Sequence, residues 1–392
     1  MIRLILLFII IFIFNSASVS QTKLIPFRKG NKWGYSNLQK EIKIPVKFQY
    51  ADKFVNGFAR VMFNGKYGLI NEKGEYIVEP KYDDVYDVID RLAGVELNSL
   101  WGFINTKGEL IVKPYFDNVL SFSEGLAAVQ KNKKWGFIDS TGVEVIPLIF
   151  SSEFSFKDGL AGVSVGMKYG FINKKGKETI KIIYEQIPSR YDDIFSDSLS
   201  AIQLNQYWGF INIKGELVIP NIFDFVEPFN ENLAAFESGK KYGFINKIGD
   251  VVIKAEYDRV FAFHENLCCV WKNNHAGFIN QRGKLITGFK YTDANSFNEG
   301  RAKVGNGGTF GFIDTTGKVV IPLIYNGEDN FHEGLAAVKK GNKWGFINKI
   351  GEIIVPFNYD SATMFVNGVA GVMSNHKWGY IGKGGIQYWE KN

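Results

Sequence analysis

A bulky residue followed by glycine recurs eleven times along this chain, and no other feature constrains its fold as strongly. The pairs are Trp33-Gly34, Tyr67-Gly68, Trp101-Gly102, Trp135-Gly136, Tyr169-Gly170, Trp208-Gly209, Tyr242-Gly243, Ala276-Gly277, Phe310-Gly311, Trp344-Gly345 and Trp378-Gly379, where Ala276 replaces the bulky residue. Nine of the ten intervals are 34 residues long and the other is 39. A fixed period of this size predicts a tandem-repeat protein, in which neighbouring units stabilise one another.

A single repeat has the pattern of a small antiparallel sheet. In the clearest copy, residues 335–338 and 344–348 are apolar or aromatic runs separated by a Gly-Asn turn, and residues 352–355 form a third run that ends at Pro356. Aromatic and β-branched residues favour strands, and proline marks a strand end because it cannot donate to a sheet ladder. Each unit is therefore predicted to be a three-stranded antiparallel meander, followed by a looser link.

Two aromatic columns accompany the anchor, which is the bulky residue of each pair. Fifteen residues after the anchor stand Phe48, Tyr82, Phe116, Phe150, Tyr184, Phe223, Tyr257, Tyr291, Tyr325 and Tyr359. Six residues further on stand Phe54, Phe122, Phe156, Phe229, Phe263, Phe297, Phe331 and Phe365. Such columns predict that each repeat packs its aromatic side chains on those of its neighbours, where each buried ring contributes roughly 1.5–3 kcal/mol.

These patterns predict an all-β protein of tandem 34-residue units in an elongated, solenoid-like array. A closed, propeller-like ring is the alternative. The elongated form is favoured because propeller blades usually carry four strands and rings usually close at about 4–8 blades.

The first twenty residues have the pattern of a secretory signal. A basic start at Arg3 precedes an apolar run over residues 4–14, and small residues stand at the predicted cleavage site before Gln21. We therefore expect a signal peptide at 1–20, a repeat array of about eleven units at 21–392, and no transmembrane segment in the mature chain. The predicted location is the periplasm, the outer surface or the medium.

Two irregularities interrupt the array. A five-residue insertion lies near residues 185–198, and insertions in repeat proteins map to surface loops that often carry function. At Ala276 the bulky anchor is lost, which predicts a softer joint unless the nearby Trp271 fills the space.

The chain resembles the bacterial WG-repeat family, also called KWG repeats. Lys134 to Asp139 and Lys343 to Asn348 carry the resemblance, together with the downstream glycine, the Pro stop and the aromatic-Asp step at Tyr82-Asp83. It covers essentially all of residues 21–392. The resemblance implies an all-β repeat structure and an exported or envelope-associated role, and it supplies no functional residues to transfer.

No catalytic, cofactor-binding or metal-binding residues are predicted. The adjacent Cys268 and Cys269 stand where other repeats have two alanines, which favours buried apolar thiols. His264 and His332 occupy a slot that other repeats fill with small polar residues. Calcium is one reading of the carboxylate column Asp83, Asp117, Glu185, Asp224, Asp258 and Asp360, but turn capping suits it better because other repeats have Ser, Thr or Asn there.

The function predicted is a non-enzymatic exported scaffold that binds a protein or an envelope polymer through an extended surface. Lysines before many anchors, such as Lys133-Lys134 and Lys240-Lys241, and a net charge of +6 give a weak preference for acidic partners, without specific nucleic-acid binding. Lysines at sheet margins that block aggregation are the alternative interpretation. The alternative functions are a glycan-binding module that uses exposed anchor aromatics, and an enzyme or enzyme subunit with a site at the 185–198 insertion.

Overall fold

The structure is a computed structural model that describes residues 23–188 and 194–390. These residues form 42 β-strands and no helix. It follows that no helix in this part of the chain has the length and apolar character needed to cross a membrane. The predicted signal segment and residues 189–193 of the insertion lie outside the described residues.

The strands are numbered in chain order: β1 Ile25–Lys29, β2 Lys32–Ser36, β3 Ile42–Phe48, β4 Tyr50–Ala51, β5 Phe58–Phe63, β6 Lys66–Asn71, β7 Tyr76–Tyr82, β8 Asp84–Val85, β9 Leu92–Leu97, β10 Leu100–Asn105, β11 Leu110–Phe116, β12 Asn118–Val119, β13 Leu126–Lys131, β14 Lys134–Asp139, β15 Glu144–Phe150, β16 Ser152–Glu153, β17 Leu160–Val165, β18 Lys168–Asn173, β19 Glu178–Tyr184, β20 Leu199–Leu204, β21 Tyr207–Asn212, β22 Leu217–Phe223, β23 Phe225–Val226, β24 Leu233–Ser238, β25 Lys241–Asn246, β26 Val251–Tyr257, β27 Arg259–Val260, β28 Leu267–Lys272, β29 His275–Asn280, β30 Leu285–Tyr291, β31 Asp293–Ala294, β32 Arg301–Asn306, β33 Thr309–Asp314, β34 Val319–Tyr325, β35 Gly327–Glu328, β36 Leu335–Lys340, β37 Lys343–Asn348, β38 Ile353–Tyr359, β39 Ser361–Ala362, β40 Val369–Ser374, β41 Lys377–Gly382 and β42 Trp389–Glu390.

The strands form eleven small sheets, which we call blades and number along the chain. Blade 1 combines β1–β3 with β42, blade 6 holds β20–β22, blade 11 holds β39–β41, and each other blade takes four consecutive strands. Strands that follow one another within a blade pair antiparallel. The prediction of an all-β tandem array of small antiparallel sheets is confirmed. Most blades have four strands rather than the predicted three, because the segment interpreted as a loose link contains a further two-residue strand.

Neighbouring blades share one extended segment of backbone. β3 ends at Phe48 and β4 begins at Tyr50, so a nearly continuous strand pairs first with β2 and then with β5 of the next blade. Between the two pairings, the Gln49 N–H donates to the Met62 carbonyl at 2.8 Å. The same arrangement recurs along the chain, so each blade is joined to the next by hydrogen bonds as well as by the chain.

The array closes into a ring. The C-terminal strand β42 pairs parallel with β1, which places Trp389 opposite Arg28. The Arg28 backbone N–H donates to the Tyr388 carbonyl at 3.1 Å, and its Nε donates to the Trp378 carbonyl at 2.6 Å. The molecule therefore resembles an eleven-bladed propeller, which the sequence analysis gave as the alternative to an elongated array. The preference for the elongated form relied on strand number and on common ring sizes, neither of which fixes the rotation between these short blades.

The hydrophobic core lies between blades. In one of its clusters, Trp135, Phe137 and Phe150 of blade 4 pack against Phe156 and Ala161 of blade 5. Phe137 and Phe156 meet edge to face with centroids 4.9 Å apart. Equivalent pairs join Phe103 to Phe122, Phe210 to Phe229, Phe244 to Phe263, Phe278 to Phe297, Phe312 to Phe331 and Phe346 to Phe365. The predicted aromatic contacts between repeats are present, and the partner of each column Phe is the residue two positions after the preceding anchor.

Because the strands alternate in direction, the ring has two faces. The hairpin face carries the tips between the second and third strands of each four-stranded blade, such as residues 131–134 of blade 4. It also carries the junctions where one blade passes into the next. The link face carries the links that lead into each hairpin, such as residues 120–125, and the turns before each last strand, such as residues 139–142.

Candidate functional site

The anchor column is part of the core. Trp101, Trp135 and Trp208 are buried, most of the other anchors are half-buried, and only Trp378, beside the ring closure, is exposed among the described anchors, at 44%. At the anomalous position, Ala276 is fully buried and Trp271 stands directly opposite it on β28. Trp271 packs against the same core cluster, so it fills the volume that the missing anchor leaves. Packed anchors do not offer the exposed stacking platform that the glycan-binding alternative requires.

The carboxylate column caps the hairpin tips. Asp117 accepts the backbone N–H of Asn132 at 2.7 Å and an ion pair from Lys131 at 2.9 Å. These bonds, the one from Lys131 first, hold the pKa of Asp117 below its ordinary value. The same capping bond is made by Asp83, Glu185, Asp224, Asp258 and Asp360 to the tip of the following hairpin. The column therefore has the turn-capping role that the sequence analysis favoured.

A second carboxylate series, which the sequence analysis missed, joins the blades on the link face. Glu299 accepts the backbone N–H groups of Glu333 and Gly334 in the next blade, at 2.7 and 2.9 Å. Partial burial raises the pKa of Glu299, but the bonds from Gly334 and Lys349 outweigh it and the net shift is downward. Glu124, Asp197, Glu231, Glu265 and Glu333 make equivalent bonds. On the link face, a carboxylate recurs before the glycine or asparagine that ends each link, as in Glu124-Gly125. This recurrence was the signal available in the sequence.

The charged side chains of the hairpin tips are all lysines. The eleven tips are residues 29–32, 63–66, 97–100, 131–134, 165–168, 204–207, 238–241, 272–275, 306–309, 340–343 and 374–377. They contain no Asp or Glu and thirteen lysines, namely Lys29, Lys32, Lys66, Lys131, Lys133, Lys134, Lys168, Lys240, Lys241, Lys272, Lys340, Lys343 and Lys377. Several pair with junction carboxylates, as Lys343 does with Asp360 at 2.5 Å. Within the described ranges, Lys32, Lys133, Lys134, Lys240, Lys340 and Lys377 are exposed and form no ion pair.

One part of the hairpin face is also apolar. On the hairpin face of blades 3 to 6, seven large apolar side chains are exposed, from 42% at Ile183 to 87% at Met167. We call this group the apolar sector: Tyr115, Ile149, Val165, Met167, Ile183, Tyr207 and Ile222. Lys131 Nζ donates to the Tyr115 carbonyl at 2.7 Å, which shows that Tyr115 lies beside a hairpin tip. Ile149, Ile183 and Ile222 occupy the same position in the following blades. The sequence analysis did not single out this position.

The insertion borders a cavity of about 660 Å³ on the link face. Its described lining includes Gln186, Phe225, Glu227, Phe261, His264 and Ser296, from four successive blades. Within blade 6 the first strand is reduced to a single bridge between Gln186 and Gln203, so the insertion and the cavity occur where the repeat is least regular. The mixture of aromatic, amide, imidazole and carboxylate groups suits a small amphipathic ligand such as a sugar.

The remaining candidates for chemistry do not assemble into a centre. Cys268 and Cys269 are buried free thiols, and burial raises the pKa of both, to about 12 for Cys269. Such thiols are poor nucleophiles at neutral pH because the thiolate is the reactive form. Across residues 23–188 and 194–390, no three His, Cys, Asp or Glu side chains gather closely enough to hold a metal ion.

Comparison with known proteins identifies the repeat. A family model described as a WG containing repeat matches residues 33–67, 67–101, 101–135, 135–169, 169–208, 208–242, 242–274, 277–309, 310–344 and 344–378. The chain therefore belongs to the WG-repeat family. The matched segments run from anchor to anchor and are interrupted only around Ala276.

No curated protein matches this sequence. Among solved structures, a eukaryotic initiation factor has a TM-score of 0.42 at 10% identity, with 85% of this chain and 95% of that chain covered. Hsv2 from Kluyveromyces lactis has a TM-score of 0.34 at 8% identity, covering 66% and 93%. The extracellular domain of a protein described as a hybrid two-component system from B. thetaiotaomicron has a TM-score of 0.28 at 10% identity, covering 91% and 69%. Similarity this low carries no argument about function.

Proposed function

We propose that this member of the WG-repeat family is an exported, non-enzymatic scaffold that holds an acidic protein or envelope polymer against the hairpin face of its ring. The observation that carries the proposal is the presence of thirteen lysines and no acidic residue in the eleven hairpin tips. Lysines that the junction carboxylates leave unpaired, such as Lys133, Lys134 and Lys240, attract partners of the opposite sign and accelerate their encounter. The rigid ring presents these charges in a repeating arrangement that suits an extended partner.

A binding role is further supported by what the repeated ionisable residues do. The junction carboxylates cap hairpin tips, and the link-face carboxylates bond the next blade, as Asp117 and Glu299 illustrate. Groups engaged in this way hold the ring together instead of gathering at a reaction centre. Export rests on the predicted signal segment at residues 1–20, and the proposed location is the periplasm, the outer surface or the medium.

The test is binding to envelope fractions by the mature chain and by two matched quadruple variants. Lys133→Gln, Lys134→Gln, Lys240→Gln and Lys340→Gln together remove hairpin-face charges that form no ion pair within the described chain. Lys73→Gln, Lys107→Gln, Lys175→Gln and Lys214→Gln remove four exposed charges from turns of the link face. The first variant should lose at least about tenfold in binding at low salt, and the second should retain it. Equal losses would contradict the assignment to the hairpin face.

The cavity beside the insertion supports a second candidate function, in which a small sugar-like ligand or substrate binds there. Its lining holds the half-buried ring of Phe261 and the exposed imidazole of His264. Calorimetry with a panel of soluble sugars, using Phe261→Ala and His264→Ala variants, tests this candidate. Hydrolytic activity of the purified chain that His264→Ala or removal of residues 189–193 abolishes would overturn the scaffold proposal in favour of an enzyme.

A further inference from the structure

The apolar sector and the lysines around it form one amphipathic surface. The sector spans blades 3 to 6, and Lys133 and Lys134 project from the blade 4 tip within it. Lys240, at the tip of blade 7, stands next to the blade 6 end of the sector. We infer that this surface docks peripherally on a membrane rich in anionic lipid. The inference rests on the basic hairpin face of the proposed function and goes beyond it, because it assigns one part of that face to a lipid surface instead of a protein or polymer.

The position of the apolar groups fits a lipid interface. Met167, exposed by 87%, stands at the tip of a hairpin rather than in a groove. The exposed Val165 and Tyr207 are the end residues of their strands and belong to the tips of blades 5 and 6. Projecting apolar side chains can enter the boundary between headgroups and acyl chains without any change in the fold that carries them. Seven large apolar side chains exposed on one face of four successive blades are more than the scattered single ones that are normal on a protein surface, and such a concentration marks a membrane or protein interaction site.

The positive charge of this surface favours anionic lipid over neutral lipid. The junction carboxylates of this part of the ring are engaged with tips, as Asp117 is with Lys131 and Glu185 is with Lys168. Lys133, Lys134 and Lys240 are exposed and form no ion pair within the described chain. Lysines held near an anionic bilayer each strengthen binding, by about fivefold, and this attraction weakens as salt increases.

A lipid surface fits better than the other occupants of an apolar patch. Lysine is depleted in protein–protein interfaces, whereas here it lies among the apolar groups. Two copies of this surface facing each other would bring lysines against lysines. Binding to a nucleic-acid backbone would use the lysines but would leave Ile149, Ile183 and Ile222 without a role, because aliphatic side chains neither pair with phosphate nor stack on bases as aromatic ones do.

Sedimentation with lipid vesicles tests the inference on the chain that starts at residue 21. Vesicles of phosphatidylcholine alone are compared with vesicles that contain one part in four of phosphatidylglycerol. The apolar variant combines Met167→Ser, Ile183→Ser and Ile222→Ser, all at exposed positions of the hairpin face. Its matched control combines Ile213→Ser, Ile248→Ser and Ile350→Ser, which remove exposed aliphatic groups from the link-face turns; Ile248 is 73% and Ile350 68% exposed.

We expect binding to anionic vesicles and little to neutral ones. The apolar variant should bind about tenfold or more weakly. Lys133→Gln, Lys134→Gln and Lys240→Gln should each cost about fivefold at low salt, while the link-face control should bind as the unmodified chain does.

Apart from a failure to bind vesicles at all, three results would overturn the lipid assignment. They are equal binding to neutral and anionic vesicles, unchanged binding by the apolar variant, and self-association in sedimentation velocity that the apolar variant abolishes, which would assign the sector to a second copy. Failure to bind vesicles while envelope fractions are still bound in a lysine-dependent manner would refute the lipid assignment alone. Loss of both would refute the proposed function as well.

Discussion

In nine of the eleven pairs the glycine is required by a close approach of backbone, and this explains the repeat signature at the scale of the residue. The last strand of each blade departs from regular pairing opposite this glycine. A Cβ built on Gly136 would lie 2.5 Å from the Ile146 carbonyl oxygen. A Cβ built on Gly277 would lie 3.2 Å from its nearest atoms. This blade has Ala276 and Gly288 in place of the usual bulky residue and proline.

Gly136→Ala should therefore destabilise the ring by about 1–3 kcal/mol, because the new methyl group forces the last strand away from its neighbour. Gly277→Ala is the matched control and should cost clearly less, since its contacts relax by a few tenths of an ångström. Chemical denaturation followed by tryptophan fluorescence measures both free energies of unfolding. If the two substitutions cost the same, close backbone approach is not the reason for the glycine.

The anchor tryptophans provide a second comparison at this scale. Trp135 is buried between blades 4 and 5, so Trp135→Ala should cost about 3–5 kcal/mol of unfolding free energy. Trp378 is 44% exposed beside the closure, and Trp378→Ala should cost less than about half of that. Thermal melts of the two variants test the difference, and an unchanged melt for Trp135→Ala would mean that the anchor column does not stabilise the ring.

At the scale of the element, one contact between strands departs from the repeat. Lys303 on β32 pairs with Glu328 on β35 of the next blade at 2.8 Å, and the Glu328 side chain is only 4% exposed. Most other blades have small apolar residues at these positions, such as Ala337 for Lys303 and Ala362 for Glu328, although Arg60 stands at the Lys303 position in blade 2 and Glu153 at the Glu328 position in blade 5. Burial raises the pKa of Glu328 above its ordinary value, although the bond from Lys303 opposes that shift. A buried pair of this kind stabilises little by itself but becomes costly when one partner is removed.

Lys303→Ala should accordingly lower the free energy of unfolding by about 3–5 kcal/mol at neutral pH, because it leaves Glu328 buried without its cation. An acid whose pKa is raised by folding loses stability as pH rises through the folded pKa, so the loss should shrink as pH falls toward about 4.3. The double variant Lys303→Ala with Glu328→Ala restores the common repeat residues and should recover most of the loss. Urea denaturation at pH 7 and pH 4.5 measures these effects. A double variant less stable than Lys303→Ala would contradict this account.

At the scale of the whole molecule, a short C-terminal segment decides whether the array is a ring. Tyr388 is buried with Ile25, Phe27 and Val369, and the Trp389 ring meets the ring of Tyr359 with centroids 6.4 Å apart. These contacts cover faces of blades 1 and 11 that the other blades cover with a neighbour. Because repeat units couple mainly to their neighbours, opening the ring should remove one full set of contacts.

A chain that ends at Gly385 should therefore unfold at a lower temperature and less cooperatively than the full chain. Its radius of gyration in small-angle scattering should increase as blades 1 and 11 separate. A chain that ends at Glu390 retains β42 and should match the full chain in both measurements. Identical scattering from the two truncated chains would show that β42 does not hold the ring closed.

The sequence by itself determined the repeat unit. The 34-residue period, the anchor with its glycine and the two aromatic columns predicted three strands of each unit, the turns and the packing of aromatics between neighbours, because these depend on local periodicity and side-chain volume. The two-residue strand that completes most blades was missed because it is too short to show a period. The sequence left open whether Trp271 compensates for Ala276, and its position opposite Ala276 on β28 shows that it fills the space.

Only the tertiary structure decided how the units are arranged. Closure depends on the rotation between successive blades and on a contact between Arg28 and Trp389, which are 361 residues apart. Neither is encoded in the period. The period does not encode the candidate interaction surface either. The tip lysines were visible one repeat at a time, but their gathering on one face beside Met167 and Ile222 follows from the ring. Side chains far apart in the chain become neighbours only when the blades are assembled.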